Sequence, residues 1–321
     1  MKLPFFAVVE QDFAAVNQLI LDSLSSHVPL VEEISEYLID AGGKRLRPLL
    51  VLLAANASGY QDRQHIPLAA IIEFLHTAML LHDDVVDASE LRRGRKTVNA
   101  TWGNPASVLV GDFLHSRAFE MMVEIGDLRV MEILSHATNS IAEGEVQQLT
   151  NIRNPDISEA SYMEVISRKT AMLFEAASHS AAVLAGANQQ DEAALKSFGR
   201  HIGLAFQLVD DVLDYQGDTA DLGKNVGDDL AEGKMTLPLI IARARGNREQ
   251  ADFVKNAIMS GGVENLTDMV KVVTETGGLA YTRQLALEQT KAASVSIECL
   301  TESPFKTAMQ ELATFSTSRS F

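Results

Sequence analysis

The chain has 321 residues, 46% of them hydrophobic, with a single cysteine and a formal net charge of −16. That charge argues against nucleic acid as a general partner, and the lone Cys299 excludes an internal disulfide framework and fits a reducing, cytoplasmic setting. The length permits one large core, and no shift of composition marks a boundary, so residues 1–321 read as one domain.

Only 8 prolines and 20 glycines punctuate the chain, while Ala, Leu, Glu, Met and Gln recur throughout, a helix-favouring composition. The first ten residues carry one cation, Lys2, and an apolar patch too short for a signal peptide. Continuous apolar runs such as 48–55 fall short of the roughly 20 residues of a membrane span. Residues 12–40 have amphipathic spacing, with Phe13, Val16, Leu19, Ile20 and Leu24 in one stripe, a break at Pro29, and Val31, Ile34 and Leu38 in the next. Gly42-Gly43 stops that helix, and Lys44-Arg45-Leu46-Arg47-Pro48 opens a very apolar one, with Pro48 in its first turn. Cations beside the free backbone donors of a helix start make a ready phosphate site.

After a turn at 58–62, Pro67 begins a helix that carries His76 and ends in Leu80-Leu81-His82-Asp83-Asp84-Val85-Val86-Asp87. Asp83 and Asp87 lie four apart and Asp84 and Asp87 three apart, so the three acids crowd one face. Like charges so placed cost a few tenths of a kcal/mol per pair, roughly, unless a cation lies between them. Hard oxygen donors suit a divalent ion such as Mg²⁺; a solvated acidic face is the ordinary alternative. The basic run Arg92-Arg93-Gly94-Arg95-Lys96 follows, a local positive patch in an acidic protein.

Further helices are predicted over 106–123 and 129–149. Ser161-x-x-Glu164 reads as a capping box ahead of a long helix containing Lys169-Thr170. The next helix, 192–215, carries Phe206-Gln207-Leu208-Val209-Asp210-Asp211-Val212-Leu213-Asp214-Tyr215, a second Asp-Asp-x-x-Asp after an apolar lead. Residues 217–234 form the longest polar, glycine-bearing stretch, and a loop of that length is usually functional. Thr236-Leu237-Pro238 restarts helix, and three further segments run to about 315 with breaks at Gly261-Gly262, Gly277-Gly278 and Pro304. No period-two alternation competes, so the fold class is all-α.

Two copies of a costly acidic pattern, each closing an apolar helix, are hard to attribute to solubility. Two such clusters suit several Mg²⁺ ions and a substrate bearing a diphosphate. Both Asp motifs, Gly43-Lys44-Arg45-x-Arg47-Pro48, Arg92-Arg93-Gly94, Lys169-Thr170, Gln207 and Gly223-Lys224 together resemble the trans-type isoprenyl diphosphate synthases over nearly the whole chain. Val108-Leu109-Val110-Gly111-Asp112-Phe113-Leu114 and the segment from Gly227-Asp228-Asp229-Leu230 through Lys234 to Pro238 resemble the long-chain bacterial branch of that family.

The resemblance implies a single-domain bundle of antiparallel helices around a deep central cavity, of the isoprenoid synthase type, and a homodimer. It implies a prenyltransferase in which Asp83, Asp84, Asp87, Asp210, Asp211 and Asp214 bind Mg²⁺ that grips the diphosphate of an allylic primer. Lys44, Arg47, His76 and Arg93 would hold isopentenyl diphosphate without metal; Arg92, Lys169, Lys224 and Lys234 would contact the allylic diphosphate. Oxygens at Lys169, Thr170 and Gln207 would face the developing cation. In such enzymes the residues below the first motif form a floor for the growing tail. Here Ala78, with Met79 beside it, stands about 7.5 Å below Asp83 along the helix, and its small side chain implies a long product. Phe74, Phe119, Met122 and Val123 compete for a deeper floor.

Each residue has an ordinary alternative: Lys169 as a surface lysine, Lys44 or Arg47 as helix caps, Gln207 and His76 as satisfied core polar groups. His82 reads as structural support rather than as a ligand, Met121-Met122 as packing, and Glu145 and Gln148 stay outside the assigned site. Rival readings are a shorter-chain synthase, a terpene cyclase, a metal phosphohydrolase built on His82-Asp83, and a non-catalytic partner subunit. The basic set and the second acid motif weigh against the cyclase, the lack of a further His-Asp ligand set against the phosphohydrolase, and the two intact acid motifs against the inactive subunit.

Overall fold

The structure is a computed structural model that describes residues 4–40, 42–92, 94–216, 227–261 and 266–318, without the side chains of 39 and 40. After a short 3₁₀ turn at Pro4–Val9, the helices are α1 (Glu10–Ser23), α2 (Pro29–Asp40), α3 (Leu46–Ala57), α4 (His65–Val86), α5 (Val98–Trp102), α6 (Asn104–Ile125), α7 (Leu128–Asn151) and α8 (Glu159–Ile166). A π turn at Ser167–Ala171 leads into α9 (Met172–Leu184). The rest are α10 (Gln189–Gln216), α11 (Asp228–Ala231), α12 (Leu237–Arg245), α13 (Arg248–Ser260), α14 (Leu266–Glu275), α15 (Gly278–Ser296) and α16 (Pro304–Ser318). Among the described residues the only strands are β1 (Leu91–Arg92) and β2 (Arg95–Lys96), paired antiparallel. The fold is all-α, as the period-two test indicates; the hairpin is too short to leave a periodic signal.

The helices form two compact units. One comprises Met1–Thr138, Leu173–Gly199 and Ser294–Leu312, the other Asn139–Met172, Arg200–Ala293 and Ala313–Phe321. In the first unit α4 is the centre, packed by α1, α3 and α6. Leu68, Ile71, Ile72, Leu75, Ala78 and Leu81 recur at three- and four-residue spacing, and all are buried. Each large side chain of that kind removed from water contributes about 1.5–3 kcal/mol. At 22 residues α4 has the length and apolarity of a membrane span, unlike the shorter runs weighed from sequence; 61% of its most apolar stretch is buried within the protein, as in a core helix.

The end of α4 that carries the first acids is fixed by α6. Ser107 donates its hydroxyl to Leu81 O at 2.8 Å. His82 Nε2 lies 3.2 Å from Val108 O, and a Cβ on Gly111 would sit 2.4 Å from that nitrogen, so glycine is what lets the imidazole seat against α6. His82 is therefore structural support, as its sequence context suggested.

In the second unit Leu208, Val209 and Val212 of α10 pack with Leu237 and Leu239 of α12, Val254 and Ile258 of α13, and Met269 and Val273 of α14. Two local expectations fail. The cap before α8 is Ser158, whose hydroxyl accepts from Ser161 N at 3.2 Å, rather than Ser161 itself. Beginning the helix there puts Tyr162, Val165 and Ile166 on its buried face. Helix also does not run evenly through Lys169-Thr170, because residues 167–171 widen into the π turn.

One buried charge holds the first unit's C-terminal segment together. Lys306, 3% exposed, donates to Glu298 O (3.0 Å), Leu300 O (2.9 Å) and Glu302 Oε1 (2.6 Å), collecting the carbonyls that follow α15. Replacing Lys306 with Met keeps the apolar stem but strands two carbonyl acceptors, so stability in urea should fall by about 2–3 kcal/mol.

Candidate active site

In the first unit the α2–α3 loop turns through left-handed backbone, with φ +65° at Gly42 and +45° at Arg45. Arg45 is consumed by structure: its guanidinium bonds Asn17 and reaches Glu73 at 3.9 Å. That leaves exposed Lys44 and partly buried Arg47 at the start of α3. Arg47 Nη1 lies 3.1 Å from His76 Nε2, and the guanidinium stacks 4.2 Å from the Phe174 ring centroid. A planar cation held between an imidazole and a phenyl ring is fixed in orientation. The structure thus brings Arg47 and His76 together.

The three acids at the end of α4 have different environments. Asp83 and Asp87 are partly exposed; Asp84 is buried, and its Oδ1 accepts from Arg92 Nε and Nη2, both at 2.7 Å. Burial pushes the Asp84 carboxyl up, and Arg92 pulls against that rise. Arg92 is brought back to α4 by the β1–β2 hairpin, whose register pairs Arg92 with Arg95. A recess in this unit is bounded by Phe74, His76, Thr77, Leu80, Asp84 and Arg92, joining the basic end to the apolar body of α4. Ala78 is buried and Met79 half-buried beneath Asp83. Of the deeper floor candidates, Phe74 and Met122 are buried, while Val123 is 65% exposed and closes nothing inside this unit.

In the second unit the π turn and α10 carry the other half of the expected residues. Thr170 donates its hydroxyl to Gln207 Oε1 at 2.8 Å. Gln207 Nε2 donates to Asp211 Oδ1 at 2.8 Å, and Tyr162 donates to Asp211 Oδ2 at 2.5 Å. This chain sets the orientation of the Gln207 amide: its N–H side serves the carboxylate, and its oxygen is turned to Thr170. Asp211 is 1% exposed; burial, followed by the charge of Asp229, pushes its carboxyl up to about 8. Tyr162 is pushed well up by burial and by Asp211 itself. Asp210 is partly exposed, Asp214 is buried, and Asp214 O accepts from Gly227 N at 2.9 Å.

Lys169 extends from the π turn to Glu145 Oε2 (2.6 Å) and Gln148 Oε1 (2.7 Å) on α7. Lys234 pairs with Glu232 and donates its backbone N–H to Asp229 O at 2.8 Å. Arg93 and Lys224 lie outside the described residues. Residues absent from the assigned site thus touch its members, among them Glu145, Gln148, Tyr162, Phe174 and Glu232. Glu145 and Gln148 stand three apart on one helix face, a signal of weak specificity, and Tyr162 looks in sequence like any core aromatic.

The donor set fits a divalent metal. Both motifs offer only carboxylate oxygens, the hard donors that a divalent cation takes, and the Asp211 carboxyl is pushed up first by burial and then by the charge of Asp229. Among the described residues no three His, Cys, Asp or Glu side chains converge on one point.

Comparison with known proteins agrees with this chemistry. Residues 28–275 match the Polyprenyl synthetase family, and the chain belongs to that family, a class of all-α prenyltransferases. It is 50% identical over 304 residues to octaprenyl diphosphate synthase of Escherichia coli, covering 94% of each chain. It is 47% identical to an all-trans-nonaprenyl-diphosphate synthase of Rhodobacter capsulatus, over 97% of this chain and 96% of that one. Its fold superposes on a polyprenyl synthase of Caulobacter crescentus, crystallised with calcium and isoprenyl diphosphate, with TM-score 0.95 and 45% identity over 98% of this chain and 97% of that one.

Arg92 is only partly buried, so its bond to Asp84 is screened on one side. Arg92→Met should cost about 1–2 kcal/mol of stability, and less in an Asp84→Asn background. A double-mutant cycle in guanidinium chloride measures that coupling.

Proposed function

We propose that this chain is a long-chain all-trans polyprenyl diphosphate synthase, octaprenyl in its main product, that extends an allylic primer such as farnesyl diphosphate with isopentenyl diphosphate. The observation that carries this reading is the second unit's arrangement, where Lys169 and Thr170 leave one distorted turn and Thr170 meets Gln207 on the helix of the second acid motif. Octaprenyl and nonaprenyl synthases among the relatives support a long product. Buried Ala78, rather than a bulky residue, supports it independently.

Asp83, Asp84, Asp87, Asp210, Asp211 and Asp214 would hold Mg²⁺, with Arg92 orienting Asp84 and with Tyr162 and Gln207 orienting Asp211. The metal, when bound, supplies charge neutralisation for the departing diphosphate. Lys169, Lys224, Lys234 and Arg92 position that diphosphate, while Lys44, Arg47, His76 and Arg93 hold the diphosphate that stays on isopentenyl. Lys169's ammonium is held by Glu145 and Gln148, so it enters the site in one direction rather than as a free chain. The allylic C–O bond breaks with its electron pair going to diphosphate. The cation left behind faces oxygens of Thr170, Gln207 and the Lys169 backbone, which stabilise positive charge by their dipoles without being nucleophilic enough to trap it. The isopentenyl double bond supplies the electrons of the new C–C bond, and the proton lost next passes to the released diphosphate. The product is an allylic diphosphate five carbons longer, ready for another round.

The same reading makes residues 1–321 one functional domain working as a cytoplasmic homodimer, supported by exposed apolar side chains on α6, Leu109 at 66% and Val123 at 65%. Purified protein incubated with Mg²⁺, farnesyl diphosphate and isopentenyl diphosphate should yield all-trans octaprenyl product by chromatography. Ala78→Tyr should shorten it to roughly farnesyl or geranylgeranyl size, given the residue's depth of about 7.5 Å below Asp83; unchanged length would remove Ala78 from the shaft. Asp83→Ala should lower turnover on the order of a thousandfold in steady-state assays. Near-normal turnover would remove the metal mechanism.

A further inference from the structure

The π turn at Ser167–Ala171 is seated against two helices, and each of them brings a glycine up to it, Gly144 on α7 and Gly203 on α10. On α7, a Cβ at Gly144 would lie 2.9 Å from Arg168 Cβ and 3.0 Å from Lys169 N. On α10, a Cβ at Gly203 would lie 2.5 Å from Ala171 Cα and 2.9 Å from Ala171 Cβ. Backbone cannot yield as the tip of a long side chain does, so a methyl at either position displaces the turn.

The pairing goes further. Gly144 immediately precedes Glu145, which takes the Lys169 ammonium, and Gln148 takes it as well. Gly203 precedes Gln207 by one helical turn, and Gln207 takes the Thr170 hydroxyl. Each flanking helix thus supplies a bare Cα against the backbone of the turn and a polar side chain for the residue that the turn projects. A glycine inside a helix costs about 1 kcal/mol against alanine, so both positions sacrifice helix stability for close approach. A π turn also has one residue more than the α-helix would hold, and its projecting side chains go wherever its neighbours let the bulge sit.

We propose that Gly144 and Gly203 are positioning residues for prenyl transfer: they fix the depth at which the π turn presents Lys169 and Thr170 to the reacting allylic group. This rests on the function proposed above. Displacing the turn by a fraction of an ångström moves the oxygens that face the developing cation.

The test is steady-state kinetics of Gly144→Ala and Gly203→Ala in the full chain with Mg²⁺, farnesyl diphosphate and isopentenyl diphosphate, alongside thermal melts. Gly278→Ala is the control: a Cβ there would meet Pro238 O at 2.4 Å, an equally tight contact away from the turn. The expected result is kcat lowered at least roughly tenfold in both site variants, with the KM for isopentenyl diphosphate within about twofold of wild type. Gly278→Ala should lower Tm while its folded fraction keeps wild-type kcat. Amide hydrogen exchange in 167–171 should quicken in the two site variants and not in the control.

Wild-type kcat in folded Gly144→Ala and Gly203→Ala overturns the inference. So does a kcat loss in Gly278→Ala equal to theirs, since general destabilisation then explains both. Should Gly203→Ala not fold, the milder contact at Gly144 decides alone. An inactive wild-type enzyme would instead refute the proposed function, so the two failures are separable.

Discussion

Asp211 imposes the constraint on which the second unit's chemistry depends: a carboxylate almost wholly removed from water must find donors inside the protein. Tyr162 and Gln207 supply them, one to each oxygen. That obligation then propagates. Gln207, committed through its amide nitrogen, can turn only its oxygen outward, and Thr170 is bonded to that oxygen. One buried carboxyl thereby sets the polarity of the groups around it, from a tyrosine in α8 to a threonine in the π turn. Because the chain runs from Tyr162 on α8 through Gln207 on α10 to the π turn, the orientation is set by the protein itself, which is what preorganised electrostatic stabilisation requires.

The first unit meets a similar problem with a different solution. Asp84 is also buried, but its partner is a full cation, delivered by a hairpin of two-residue strands. The bidentate contact onto a single oxygen ties the loop after α4 to the helix end. Its neighbours Asp83 and Asp87 stay partly open. Within one Asp-Asp-x-x-Asp motif, the middle acid is thus the buried, ion-paired one while the outer two are partly exposed, a difference that helical spacing alone does not reveal.

The acid motifs were legible because they break the economy of the helices that carry them: charge at the end of an apolar run needs a reason. The all-α class was legible from periodicity and scarce proline, while the short helices at Val98–Trp102 and Asp228–Ala231 and the break between Arg245 and Arg248 were not. What sequence could not deliver were features whose cause lies on another element. Tyr162 is indistinguishable from a core aromatic until Asp211 is placed opposite it. Ser158 and Ser161 both offer a cap, and only the burial of Tyr162, Val165 and Ile166 chooses between them. The π turn has no residue signature at all. Its trace lay elsewhere, in helix-interior glycines at 144 and 203 that have no local purpose.

The two compact units are interleaved along the chain: the first draws on Met1–Thr138, Leu173–Gly199 and Ser294–Leu312, with the second filling the gaps. Neither unit is therefore complete until most of the polypeptide has been synthesised, and each must close loops of many tens of residues to assemble. Folding cannot proceed as two successive domains emerging from the ribosome. The same interleaving means that no single cut yields two self-sufficient halves, since any fragment that keeps the first acid motif and stops short of Lys306 lacks the last segment of its own core.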